Sequence, residues 1–143
     1  MLSESNWIAH RGYQRHYPEN SALAIAAALA AGATWVEIDI QLSADHVPVV
    51  IHDDHTGRVS PAALKLSNSP WQQLSQLSNG EPNRFNTSFA NSRFVSLASL
   101  ADIFSAYPNA QCMVELKTES INAFGADICL KQIKQAIAPF IER

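Results

Sequence analysis

Glu37 and Asp39 stand two residues apart in the run Thr34-Trp-Val-Glu-Ile-Asp-Ile-Gln-Leu42. As a strand, this run puts Trp35, Glu37, Asp39 and Gln41 on one face and Val36, Ile38, Ile40 and Leu42 on the other. Two neighbouring carboxylates on so apolar a strand are costly unless a cation or hydrogen-bond donors compensate them. A divalent metal bound through oxygen would compensate both at once. Glu115 and Lys117 repeat the pattern in Ala110-Gln-Cys-Met-Val-Glu-Leu-Lys117, with Cys112, Val114 and Leu116 facing the other way. Glu115 can therefore complete an oxygen cage for Mg²⁺ or Ca²⁺. His10-Arg11-Gly12 and His52-Asp53-Asp54 add two imidazoles, the side chains best suited to proton transfer near neutral pH. Arg11 can hold a phosphate or carboxylate oxygen. Because hard cations prefer oxygen to imidazole, the roles separate: carboxylates for the metal, histidines for protons. Taken singly, each motif has an ordinary reading. Glu37 and Asp39 could face water from an edge strand, His10 could be a buried imidazole beside a surface arginine, and His52-Asp53-Asp54 could be a polar turn. His16, His46 and His55 lie in turn-like surroundings and are read as surface residues.

These positions share one topological property: His10, Glu37/Asp39, His52 and Glu115/Lys117 fall at or near the C-terminal ends of expected strands. In α/β sheets and barrels, active sites are built at that end. The expected order is strand (7–10), helix (22–31), strand (34–42), strand (47–52), long loop, helix (from 96), strand (110–117) and a final helical segment. Asn20 or Ser21 can cap the alanine-rich first helix, which Gly32 ends. Pro48 places its strand at a start or a sheet edge. Residues 55–95, rich in Ser, Asn and Pro, read as a long excursion with one short helix near Pro70–Leu77. Leu97, Leu100, Ala101 and Phe104 keep helical spacing up to Pro108, with Ser96 as the cap. Strands alternating with helices argue for a parallel α/β architecture in a single domain, 1–143.

Composition narrows the function classes. With 143 residues, 47% of them hydrophobic, the chain can bury one substantial core. Ten basic and 13 acidic side chains give a net charge of −3 without a basic run, which argues against nucleic acid as partner. No apolar stretch reaches the roughly 20 residues of a membrane span, and Met1–Asn6 lacks a leader pattern. Cys112 and Cys129 read as buried thiols without zinc-binding spacing, which fits a cytoplasmic protein.

The ordered set His10-Arg-Gly12, Pro18-Glu-Asn-Ser21, Glu37-Ile-Asp39, His52-Asp53 and Glu115-Leu-Lys117 resembles the glycerophosphodiester phosphodiesterases. No single motif is specific, but the series spans residues 8–117. The resemblance implies a (β/α)₈ TIM barrel that hydrolyses glycerophosphodiesters to glycerol 3-phosphate and an alcohol. It implies a divalent cation, Mg²⁺ or Ca²⁺, on Glu37, Asp39 and Glu115, with His10 and His52 as general acid and base in either order. Arg11 would contact the phosphate, Glu19 and Asn20 would line the same site, and Lys117 would sit near the phosphate or metal. The 55–95 excursion resembles the small insertion that family members carry after the second catalytic histidine. A complete barrel takes about 250 residues, so the expectation here is a partial barrel: about the first three βα units plus the insertion. Its open edge would favour a homo-oligomer. Two functions stay open, a metal-dependent phosphodiesterase and a weakly active or inactive family fragment that binds metal and phosphate or serves assembly. A phospholipase-like or sphingomyelinase-like phosphodiesterase fits the E-x-D and E-x-K set less well.

Overall fold

The computed structural model describes residues 7–141. Met1–Asn6, on which the leader reading rests, lie outside the described residues. The organising element is strand β2, Trp35–Leu42, and it is an interior strand, not a wet edge. Strand β1, Ile8–His10, lies parallel to its first half, with Ile8 opposite Trp35 and His10 opposite Glu37. Strand β3, Pro48–Val50, runs antiparallel to its end on that same side, with Val50 opposite Ile40 and Pro48 opposite Leu42. Strand β4, Gln111–Leu116, is parallel on the other side, from Trp35 opposite Gln111 to Ile40 opposite Leu116. The parallel trio matches the expected architecture. The direction of β3 follows from its connection, since Ser43–Val47 is far too short for the dozen or more residues of a parallel crossover. The turn is closed by Ser43, whose backbone N–H donates to the Val47 carbonyl at 3.0 Å and whose Oγ accepts from Val47 N–H at 2.9 Å.

Alternation along β2 decides what each face meets. Val36, Ile38, Ile40 and Leu42 are completely buried against helix α1, Ala22–Ala30, and the helices that follow the excursion. Ser21 caps α1, its Oγ accepting from Ala24 N–H at 3.0 Å. The alanines let this helix approach the β1 exit so closely that a Cβ on Gly12 would lie 2.6 Å from the Ala24 carbonyl carbon. The excursion contains a 3₁₀ turn at Leu66–Asn68 and two one-turn helices, α2 at Trp71–Leu74 and α3 at Pro82–Phe85. Of these, α2 falls in the expected Pro70–Leu77 window. The whole segment is held by a second apolar cluster of Val49, Ile51, Val59, Leu66, Leu74 and Phe94. Its anchors come one at a time from turns, which is why no periodicity announced them.

Helix α4, Leu100–Ser105, starts later than the Ser96 cap suggests. Ser96 caps a preliminary turn, its Oγ accepting from Ser99 N–H at 3.3 Å, and Leu97, Leu100 and Phe104 are fully buried. The final helical pattern divides at Gly125, φ 86°, into α5, Thr118–Phe124, and α6, Ala126–Ile141. Cys129 is buried and Cys112 half-buried, and both are free thiols.

Candidate active site

The other face of β2 carries the chemistry. Glu37 and Asp39 are 6% and 1% exposed, and β4 sets Glu115 directly opposite Asp39. One carboxylate oxygen from each of the three lies within 4.8 Å of the others. Asp39 is well compensated: its Oδ2 accepts from Asn20 Nδ2 at 3.0 Å and faces Arg11 Nε at 3.1 Å, while Lys117 Nζ lies 3.8 Å from Oδ1. The Arg11 Nε contact is an ion pair without hydrogen-bond alignment, for that buried nitrogen has no well-directed acceptor. Glu115 receives Lys117 Nζ at 2.8 Å, and that bond holds its pKa below the ordinary value. Glu37 is left short. Among the described residues its Oε2 accepts only the Arg11 backbone N–H at 3.2 Å, and it faces His10 Nε2 at 3.7 Å. Its Oε1 is buried without a hydrogen-bond partner among the described residues. Burial, then the Asp39 charge, pushes the Glu37 pKa up. A buried orphan carboxylate oxygen among three convergent carboxylates fits a divalent cation with oxygen ligands.

Backbone strain at the β1 exit aims the cationic group. Arg11 and Asn20 both adopt positive φ, 56° and 55°, and Asn20 N–H donates to the Arg11 carbonyl at 3.0 Å. Arg11 N–H also donates to the Glu37 carbonyl at 2.9 Å, which continues the β1–β2 ladder into the loop. Asn20 then grips Asp39 from two sides, since Asp39 N–H donates to Asn20 Oδ1 at 3.2 Å. Glu19 turns its carboxylate to Arg11 Nη1 at 3.3 Å and to the guanidinium of Arg58 at 2.6 and 3.0 Å. Burial works against the Glu19 carboxylate, but Arg58 and then Arg11 outweigh it and hold its pKa below the ordinary value.

The two histidines are held in opposite senses. Gln14 Nε2 donates to His10 Nδ1 at 3.0 Å, so the neutral His10 ring carries its proton on Nε2. His52 Nδ1–H donates to Asp53 Oδ1 at 2.7 Å, which in the neutral ring leaves the lone pair on Nε2. His52 lies two residues past β3, and Gln41 Nε2, on the same face as Glu37 and Asp39, donates to its carbonyl at 3.1 Å. Asp53 is held by Arg58, with Nε at 2.8 Å and Nη2 at 3.2 Å, and these bonds lower its pKa. His16 and His55 are exposed, and His46 is half-buried against Phe124.

The structure thus gathers all nine sequence-derived positions around one end of β2. Sequence reasoning missed Gln14, Gln41, Arg58, Glu81 and Arg84. Glu81 accepts from Glu19 N–H at 2.7 Å and is itself paired by Arg84 at 3.0 Å. Gln41 had a signal, its place in the alternation of β2. Arg58 and Glu81 sit in an aperiodic segment, and only the folded chain brings them to Glu19.

Comparison with known proteins places the chain in a family. The profile of the glycerophosphoryl diester phosphodiesterase family matches residues 10–143. Glycerophosphodiester phosphodiesterase 1 of Rattus norvegicus is 36% identical over 90 residues, covering 63% of this chain and 27% of the relative. The glycerophosphodiester phosphodiesterase of Caldanaerobacter subterraneus is 29% identical over 113 residues, covering 79% of this chain and 44% of the relative. Among solved structures, a phosphodiesterase of Oleispira antarctica in complex with the product sn-glycerol-3-phosphate superposes with a TM-score of 0.80 at 27% identity. That match covers 91% of this chain and 50% of the other. The chain therefore spans between about a quarter and a half of the length of these relatives. The three parallel strands with their helices are the corresponding part of a TIM-barrel architecture, not closed among the described residues. With its motif series, its three-carboxylate cluster and a profile match over nearly its whole length, this chain belongs to the glycerophosphoryl diester phosphodiesterase family.

Proposed function

We propose that the chain carries the metal and proton-transfer half of a glycerophosphodiester phosphodiesterase site, releasing sn-glycerol 3-phosphate and an alcohol. The observation that carries this reading is the orphaned Glu37 oxygen within a three-carboxylate cluster, flanked by two histidines held in opposite tautomers. Glu37, Asp39 and Glu115 would hold Mg²⁺ or Ca²⁺. A cation there would supply fixed positive charge for the phosphoryl oxygens as negative charge builds on them. Arg11, already aimed by Glu19 and Asp39, would bind a phosphoryl oxygen, and Lys117 would add charge from the β4 side. Glu19 and Asn20 line the site by holding Arg11 and Asp39. His52 Nε2, with its lone pair free in the neutral ring, would take the proton of an attacking water, whose oxygen bonds to phosphorus and stays on glycerol 3-phosphate as the bond to the alcohol oxygen breaks. His10 Nε2–H would give a proton to the departing alcohol oxygen.

Residues 55–95 belong to the same functional unit in this reading, because Arg58 and Glu81 reach the site from them. The two free thiols favour a cytoplasmic setting. No helix among the described residues is long and apolar enough to cross a membrane. On β4, Met113 is 43% exposed on the face that bears Glu115, and a second copy would cover it; light scattering would show a monomer if this part is wrong. The deciding experiment is glycerol 3-phosphate release from glycerophosphocholine and glycerophosphoethanolamine with Mg²⁺, with Ca²⁺ and with chelator, beside the His10→Ala protein. Release that needs both the cation and His10 supports the reading. Release by His10→Ala at the wild-type rate, or none under any metal, overturns it.

A further inference from the structure

We propose that Arg58 is a positioning residue for this site, a single guanidinium that sets the His52 ring through Asp53 and the Arg11 side chain through Glu19. The inference rests on the phosphodiesterase reading for its consequence in turnover, but its structural content stands on geometry alone.

Arg58 comes from the excursion and is 45% exposed at its side chain, so it is not part of a core. All three of its guanidinium nitrogens are nevertheless engaged. Nη1 and Nη2 donate to the two oxygens of Glu19 at 3.0 and 2.6 Å, and Nε and Nη2 donate to the two oxygens of Asp53 at 2.8 and 3.2 Å. Two carboxylates that would otherwise repel are thereby locked edge to edge on one planar cation, a geometry a lysine cannot copy. Each has its other partner inside the site: Glu19 meets Arg11 Nη1 at 3.3 Å, and Asp53 accepts from His52 Nδ1 at 2.7 Å. Without Arg58, Asp53 loses the bonds that fix its plane, and the proton on His52 is no longer confined to Nδ1. Glu19, only 6% exposed, would keep Arg11 as its one cationic partner and draw it away from Asp39. The Glu19 backbone would stay in place, because its N–H is held separately by Glu81, which Arg84 pairs. Loss of Arg58 should therefore misdirect side chains without dislodging the loop. None of its bonds goes to Glu37, Asp39 or Glu115.

The test compares wild type, Arg58→Ala and Arg58→Lys. Their kcat and KM for glycerophosphocholine are measured, with the His52 tautomer read from long-range ¹H–¹⁵N spectra. In wild type, His52 should be the Nδ1–H tautomer. Arg58→Ala should give a mixture and a kcat lower by about 10–100-fold, the usual cost of losing an outer hydrogen-bond partner behind a functional histidine. Arg58→Lys should recover only part of both, and the thermal shift on adding Mg²⁺ should persist in all three proteins. A kcat within about twofold of wild type in Arg58→Ala, or a fallen kcat with the His52 tautomer unchanged, overturns the proposal. Should wild type fail to turn over, the phosphodiesterase reading falls, and the spectra still decide: an unchanged His52 in Arg58→Ala overturns the clamp, a mixed tautomer supports it.

Discussion

Replacing Glu37 by Gln should make the metal-free protein more stable and at the same time remove its response to metal. In the metal-free site, Glu37 Oε1 is buried without a donor among the described residues, and one Glu37 oxygen lies within 4.8 Å of an oxygen of Asp39 and of Glu115. A glutamine keeps an oxygen for the Arg11 N–H that now donates at 3.2 Å, and turns an NH₂ towards the neighbouring carboxylates. Relieving one buried unsatisfied polar group is worth about 1–3 kcal/mol. At about 2–4 °C per kcal/mol for a chain of this size, Tm in chelator should rise by about 2–12 °C. Wild type should gain about 2.7 kcal/mol at a cation concentration about 100 times Kd, and Glu37→Gln should gain far less, because the trio has lost one charged ligand. The ranking of the two proteins should therefore shrink or invert when Mg²⁺ or Ca²⁺ is added.

The pH dependence provides an internal control. A carboxyl whose pKa is raised on folding binds its proton more tightly in the native state, so its contribution is most favourable at low pH and is lost as pH rises through the folded value. Glu37 is raised above its reference of 4.5, and the advantage of Glu37→Gln over wild type should vanish below that pH and grow above it. Melting curves by circular dichroism at several pH values, with and without metal, read all of this. A Gln variant that melts below wild type in chelator and still gains fully from metal would refute the reasoning.

His10→Ala and His52→Ala should each lower glycerol 3-phosphate release by about 10²–10⁴-fold while keeping the metal-induced thermal shift, since neither ring is needed in the oxygen cage. Loss of that shift in either variant would move the histidine to the metal. Gly12→Ala combines a left-handed φ of 79° with a Cβ 2.6 Å from the Ala24 carbonyl carbon. The conformation alone costs about 1–2 kcal/mol and the contact must push α1 outward, so Tm should fall by more than about 5 °C in thermal melts. Acid should act on Glu19 and Asp53 in the sense opposite to Glu37. Their folded pKa values lie below the references of 4.5 and 3.8, so their contribution is complete above those values and is lost as pH falls through the folded ones. A pH series of Tm should show a shallower acid decline in Arg58→Ala than in wild type, and parallel declines would contradict the assignment.

The carboxylate pair was readable because strand alternation is strict and because two acids on an apolar strand demand an explanation. The same alternation marked Glu115 as a third carboxylate, but that β4 lies beside β2 is seen only in the folded chain. The direction of β3 was less visible: Val-Pro-Val-Val-Ile reads alike in either sense, and only the short Ser43–Val47 link distinguishes a hairpin from a crossover. The break at Gly125 hid inside a continuous helical pattern of Ile121, Phe124 and Ile128, because one glycine interrupts the backbone without disturbing the spacing. Arg58 and Glu81 left no trace at all. Their shared partner Glu19 lies 39 and 62 residues away in sequence, and what selects them is the fold of an aperiodic segment whose anchors, such as Val59, Leu66 and Phe94, follow no single period.

The charge distribution bears on the proposed cation. Among the described residues, the Arg and Lys partners of Glu19, Glu37, Asp39, Asp53 and Glu115 are Arg11, Arg58 and Lys117, which with neutral imidazoles leaves two negative charges uncompensated. The deficit is not spread evenly. Arg58 is taken up by Glu19 and Asp53, Arg11 is shared between Glu19 and Asp39, and Lys117 between Asp39 and Glu115. Among the described residues Glu37 is paired with no Arg or Lys side chain, and it is the carboxylate whose oxygen is orphaned and whose pKa is raised. A phosphodiester monoanion approaching this surface would meet net repulsion at the point where Arg11 could receive it. A dication at Glu37, Asp39 and Glu115 would cancel the deficit where it is concentrated, and Arg11 would then be free to act as an anion receptor. Substrate affinity in this site should therefore depend on the cation before any step of the reaction does.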